Sequence, residues 1–259
     1  MAEYSTLILS VEAPVARLTL NRPDRLNTMS RTMVREVKAA LQTVAERSDV
    51  RVLVLTGAGS MFCPGADMKA VAAGDELGDR LEPDDFLVTT LLHHMPQVTV
   101  AAINGACAGA GLGWAAACDL RLATRRAKFN TAFLDVAVAG DMGLPWSLPR
   151  LIGAGRAREL CMMPGKFDAD EALRLGLVAR VFDDAVFAEE VEAVIARLAA
   201  AAPFALTTMK SNFVEAERRD FDSFILLESE RHLHLFTLPD TQEGFAARVE
   251  GRAAQFSAT

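Results

Sequence analysis

Two short apolar runs, Val50–Leu55 and Val98–Ile103, constrain this chain most. Each is continuous rather than alternating, which is the pattern of a strand covered on both faces in a helix-flanked sheet. Each then breaks into small residues and a helical pattern. Gly57-Ala58-Gly59 ends the first run, and Met61-Phe62-Cys63-Pro64-Gly65-Ala66-Asp67-Met68-Lys69 follows it. The second run leads into Asn104-Gly105-Ala106-Cys107-Ala108-Gly109-Ala110-Gly111-Leu112-Gly113. A strand that turns through glycine into a helix leaves unpaired backbone N–H groups, and the helix dipole favours negative charge there. The N–H groups of Ala66 and Ala110 are the candidates. Were they to converge, they would form an oxyanion hole.

The remaining pattern predicts an α/β core. Strands are expected at Thr6–Val11 and Val15–Leu20 around the Glu12-Ala13-Pro14 turn, and again at Leu120–Thr124 and Val178–Phe182. Ser30 caps a helix over Arg31–Arg47, in which Met33, Val37, Leu41 and Val44 recur at helical spacing. A small-residue helix is expected near Gly109–Cys118. Beyond Phe182 only helical patterns follow: Asp183–Ala201, Pro203–Arg218, Phe221–Phe236 and Pro239–Arg252. The organisation read from this is a core over residues 1–200 and a helical region over 201–259. The polar stretch Gly74–Asp85 reads as a surface segment, with Asp84 and Asp85 in water.

Composition narrows the function. A net charge of −7 argues against nucleic acid, which needs a basic face. Cys63, Cys107, Cys118 and Cys161 show no paired or metal-finger spacing, so reduced, structural thiols are expected. The N-terminus MAEYSTLILS lacks a signal-peptide pattern, and no run of 18 apolar residues occurs. A cytoplasmic protein with no membrane partner is the expectation. His93 with His94, and His232 with His234, are poorly spaced for a metal, so none is expected. Gly109-x-Gly111-x-Gly113 follows a strand, but its third glycine comes one residue early for a dinucleotide fingerprint and no acidic residue ends a second strand near Phe129. No G-x-S-x-G elbow is present.

Several segments together resemble the crotonase (enoyl-CoA hydratase/isomerase) superfamily over nearly the whole chain. They are Asn21-Arg22-Pro23 with Asn27, Gly65-Ala66-Asp67, Asn104-Gly105 with Gly109-Ala110-Gly111, and Ala117-Cys118-Asp119-Leu120-Arg121. Leu148-Pro149-Arg150-Leu151 with Gly153, and Ala172 through Gly176-Leu177-Val178, continue the match. The resemblance implies a spiral of strand–strand–helix turns with a C-terminal helical trimerisation region, in a homotrimer or a dimer of trimers. It implies an acyl-CoA thioester as substrate and no separate cofactor. It assigns the oxyanion hole to the backbone of Ala66 and Ala110. It places Arg25, Leu26, Asp67 and Met68 along the CoA path, and Leu112, Gly113 and Phe133 around the acyl group.

This sequence departs from the family where hydratases carry two glutamates. Three residues past Ala110 stands Gly113, and four past Phe129 stands Phe133. Neither can transfer a proton. One carboxylate, Asp141 in Val138-Ala139-Gly140-Asp141-Met142-Gly143, resembles the single aspartate of the 1,2-epoxyphenylacetyl-CoA isomerase-like branch. An apolar pocket of Leu112, Trp114 and Phe133 would raise its pKa toward a working range. Asp135 is a reserve base. Gly113 and Ala139 are expected to leave room beside the reacting carbons. The leading expectation is enoyl-CoA double-bond isomerisation by Asp141; a hydratase with other acid–base groups and a non-catalytic acyl-CoA binder are the alternatives.

Overall fold

The computed structural model describes residues 4–73 and 80–257. Strands β1 (Leu7–Glu12) and β2 (Val15–Leu20) form an antiparallel hairpin, closed by a tight turn at Ala13-Pro14. Ser30 then accepts a hydrogen bond from the Met33 N–H at 3.2 Å and starts α1 (Arg31–Ala45). Met33, Val37, Leu41 and Val44 are fully enclosed, as their spacing predicts. The helix stops two residues before Arg47, which folds back onto Asp49 at 2.6 Å.

The chain next alternates between two sheets. Strand β3 (Val52–Gly57) pairs parallel with β2, and α2 (Met68–Ala73) and α3 (Val88–His94) follow it. Strand β4 (Val98–Ile103) joins β3, then β5 (Cys107–Ala108) enters a second sheet before α4 (Ala110–Ala117). Strand β6 (Leu120–Thr124) returns to the first sheet and β7 (Lys128–Asn130) to the second; α5 (Leu144–Ile152) and α6 (Ala154–Met162) follow. Strand β8 (Phe167–Asp168), α7 (Ala169–Leu175), β9 (Arg180–Phe182) and α8 (Phe187–Ala199) complete the core. The large sheet runs β1-β2-β3-β4-β6-β9 and the small one β5-β7-β8. The β4 and β6 turns therefore each lay one strand in the large sheet, a short strand in the small sheet, and then a helix.

The continuous apolar runs behave as expected: every residue of β4 is buried, and all but Thr56 of β3. The small sheet is absent from the sequence reading because two- and three-residue strands carry no measurable period. Helices α9 (Pro203–Ala216), α10 (Phe221–Phe236) and α11 (Pro239–Glu250) form the C-terminal region. It is tied to the core by Lys210, which is buried and donates to Leu92 O at 3.2 Å and Gln97 O at 2.8 Å, and pairs with Asp119 at 2.9 Å. Arg51 adds a bond to Ala201 O at 3.2 Å.

Part of the polar Gly74–Asp85 stretch, residues 74–79, lies outside the described residues. Asp84 and Asp85 are not simply solvated: they pair with Lys38 and Arg35 of α1. No single helix among the described residues is long and apolar enough to cross a membrane.

Candidate active site

The two glycine-rich segments run side by side. Cys63 N donates to Ala106 O and Ala108 N to Cys63 O, both at 3.0 Å, so residues 63 and 107 form a parallel bridge. Two residues further along, Gly65 and Gly109 pack against each other. A Cβ on Gly65 would lie 3.9 Å from Gly109 Cα, and one on Gly109 would lie 3.8 Å from Gly65 Cα. Both glycines have positive φ, 107° and 51°. Only glycine combines that backbone with so close an approach at low cost. Ala66 and Ala110 follow these two residues directly, and among the described residues neither N–H finds an acceptor in the chain. Two unpaired donors thus stand next to each other, with 43 residues of chain between them in sequence.

The two donors are supported differently. Ala110 begins α4 and is buried. Ala66 is exposed and extended, two residues before α2, rather than in a helical first turn as the sequence suggested. It sits in a one-residue bridge with Met29, whose N–H donates to Gly65 O at 2.8 Å and whose carbonyl accepts from Asp67 N at 3.0 Å. Asn27 and Asn104 hold the surrounding loops. The Asn27 amide donates to Ala58 O and Met61 O, and that of Asn104 to Gly57 O and Gly59 O.

Asp67 turns inward. Its carboxylate accepts from Ala70 N at 3.2 Å, capping α2, and from Arg22 at 3.1 Å. Partial burial opposes its charge, but the Ala70 N–H, the Arg22 guanidinium and the Thr28 hydroxyl outweigh this and hold its pKa below the ordinary value. Arg25, Leu26 and Met68 lie exposed beside it, on the rim of the same loop pair. The Cys63 thiol behind the donors is pushed up to about 12 by burial, so it stays protonated.

The Asp141 loop faces α4. A Cβ on Gly113 would meet Met142 Cβ at 2.6 Å, Met142 O at 2.8 Å and Asp141 O at 3.2 Å. Gly113 therefore opens no room for the substrate: the backbone of residues 141 and 142 fills that space. Leu112 is also corrected, since at 1% exposure it sits in the core and presents no surface to a ligand. Phe133 does reach the donors, with its ring edge 3.9 Å from the Cβ position of Gly109. It borders a cavity of about 580 Å³ whose walls include Leu134, Ala139, Gly140, Pro145 and Met162. Ala139 thus lines open space where Gly113 does not.

Asp141 is partly buried and accepts the Met142 N–H at 2.7 Å. Burial raises its pKa above the ordinary aspartate value, and the Met142 bond offsets part of this. Asp135 is exposed on the turn Leu134–Val136. His93 and His94 are engaged by Glu217 and Arg218. Leu26, Asn27, Ala132, Ala137 and Met142 all have positive φ, between 47° and 58°. Such strain, about 1–3 kcal/mol per residue, gathers where a site is held in a particular shape. Here it falls in the three loops around the paired donors.

In the sequence Arg22 is one residue of the Asn21-Arg22-Pro23 motif, and the motif alone assigns it no role. Its two-sided contacts give it one in the structure, and nothing in local sequence pattern signals them.

The sequence profile of the "Enoyl-CoA hydratase/isomerase" family matches residues 10–259. Over 194 residues the chain is 40% identical to the Mycobacterium tuberculosis protein named "Probable enoyl-CoA hydratase EchA14", covering 73% of this chain and 74% of that protein. It is 32% identical to the 1,2-epoxyphenylacetyl-CoA isomerase of Escherichia coli, over 97% of this chain and 98% of the relative. The crystal structure of an enoyl-CoA hydratase from Bacillus anthracis superposes with a TM-score of 0.89 at 27% identity, covering 98% of this chain and all of that one.

Proposed function

The chain belongs to the enoyl-CoA hydratase/isomerase family, and within that family we propose that it is an enoyl-CoA double-bond isomerase with Asp141 as its only proton carrier. The observation that carries this reading is the contact between Gly113 and the Asp141 loop. A two-glutamate hydratase needs a carboxylate at position 113 and another at 133. Here the first direction is filled by Met142 and Asp141 backbone, and the second holds an apolar ring. The same contact sets the main chain of Asp141 against α4, and its carboxylate accepts the Met142 N–H at 2.7 Å.

One base is enough for isomerisation. The Asp141 carboxylate removes a proton from C2 of a 3-enoyl thioester, and the electrons move onto the thioester oxygen. Ala66 and Ala110 donate their N–H groups to that oxygen, where loss of one donor typically costs about 10²–10³ in rate. Collapse of the dienolate takes the proton back from Asp141 at C4, leaving a 2-enoyl thioester and the carboxylate restored. Arg25, Leu26 and Met68 line the approach of the CoA portion, and Phe133 excludes water beside the reacting carbons.

The test supplies 3-enoyl-CoA and 2-enoyl-CoA separately to the wild type and to Asp141→Asn. Double-bond migration is expected in the wild type and to fall by at least about 10²-fold in the variant. Fast hydration of 2-enoyl-CoA that survives the substitution would sink the proposal.

We further infer a homotrimer or dimer of trimers. Helix α10 buries none of its 16 residues, and Phe221, Leu226 and Leu233 on it are each at least two-thirds exposed. A helix of that kind gains its stability by packing against a partner.

A further inference from the structure

Among the paired donors, Ala110 is fixed by a buried helix while Ala66 hangs on a single bridge to Met29. What steadies that bridge is Arg22. One guanidinium nitrogen donates to Thr28 O at 2.6 Å, just before Met29, and another to the Asp67 carboxylate at 3.1 Å, just after Ala66. Arg22 itself is held, since its backbone N–H donates to the buried Asn27 side chain at 2.9 Å. The fork thus spans both strands of the bridge, and its side chain is only 20% exposed. Charge-assisted bonds from a rigid planar fork are among the strongest and most directional that a side chain makes.

We propose that Arg22 is a positioning residue for catalysis: by clamping Thr28 O and Asp67 across the Met29–Ala66 bridge, it aims the Ala66 N–H at the thioester oxygen. Arg22 touches no substrate atom. This inference rests on the oxyanion-hole reading above and adds to it the device that orients the weaker donor. Ala66 follows a glycine and lies in the open, so without the clamp its peptide plane is held only through the bridge, by the Met29 N–H bond to Gly65 O at 2.8 Å. The consequence is specific. Loss of the clamp weakens polarisation of the bound carbonyl more than it weakens binding of the CoA portion.

The experiment uses a 2-enoyl-CoA whose acyl group ends in a donor-substituted aromatic ring, a chromophore whose absorption moves to the red when its carbonyl is polarised. It is bound to the wild type, Arg22→Met, Arg22→Lys and Asp67→Asn, and kcat and KM for isomerisation are measured alongside. The wild type is expected to show the red shift. Arg22→Met loses most of it, with kcat down about 10–100-fold, a fraction of a full donor's worth, and KM changed less than about threefold. Arg22→Lys, which keeps the charge but lacks the fork, falls between. Asp67→Asn keeps the Ala70 cap and loses part of the shift, and it decides the matter alone if Arg22→Met does not fold. A full red shift with unchanged kcat in the folded variants overturns the proposal, as does a change confined to KM. Absence of a red shift in the wild type strikes instead at the oxyanion-hole reading, and the positioning role falls with it.

Discussion

At the scale of single residues, the proposed isomerisation turns on Asp141 and on what its surroundings do to a proton. The carboxylate must be ionised to act as a base, and burial disfavours the ionised form. Acidification therefore removes the working form earlier than for an exposed aspartate, which titrates near 3.9. The kcat/KM profile for isomerisation is expected to fall on its acid side with a midpoint above that value. A profile flat down to about pH 4 would contradict the assignment. The stability sign is the opposite one. With its folded pKa raised above the unfolded value, Asp141 costs stability as pH rises through the folded pKa. Asp141→Asn is thus expected to unfold at the same temperature as the wild type or higher at pH 8, while losing activity. That divergence separates a catalytic group from a turn-forming one. From sequence, Asp141 was legible through its motif. Its burial, its bond to Met142 and its place against α4 were not, because each comes from residues packed around it in space.

At the scale of elements, local signals were read well and pairings were not. Helix α10 spans Phe221–Phe236 as expected because Asp220, which accepts from the Ser223 N–H at 3.0 Å, marks its start in the sequence itself. Helix α8 begins at Phe187, four residues later than the expected Asp183. Asp183 and Asp184 are drawn off to Arg125 and Thr124 instead. Tertiary partners there outbid the local propensity. The packing of α4 against the Asp141 loop was read in the wrong sense, since a small residue in a list suggests empty space. In the folded chain Gly113 is small because another backbone occupies the place. Gly113→Ala is accordingly expected to destabilise the protein by about 1–3 kcal/mol, as overpacking does. Each kcal/mol lowers the melting temperature by roughly 2–4 °C in a chain of this size. A melting temperature equal to the wild type's would show that the loop yields freely. It would also remove the steric argument against a glutamate at that position.

At the scale of the whole molecule, the C-terminal helices hold the main unspent interaction surface. Phe213, Phe221, Leu226 and Val249 stand 68% exposed or more, although the same region is bound to its own core through Lys210. Sedimentation equilibrium is expected to give three or six times the chain mass of 27.9 kDa. Replacing Phe221 and Leu226 by Asp is expected to shift the mass toward the monomer. A monomeric wild type at micromolar concentration would refute the trimer. The alternation of strands and helices, the helical C-terminal region and the glycine-rich turns were determined by sequence alone, because caps, glycines and apolar periods act within a few residues. The placing of the Ala66 segment beside the Ala110 segment was decided by tertiary structure. It needs Gly65 and Gly109 brought into contact by segments from different turns of the spiral, and no local pattern records a contact across 44 positions. The same is true of the Arg22 clamp, the two-residue strands of the small sheet and the loop filling the space beside Gly113. The chain's own order determined where glycine-rich turns would interrupt the strands, and the fold decided that two of them lie side by side.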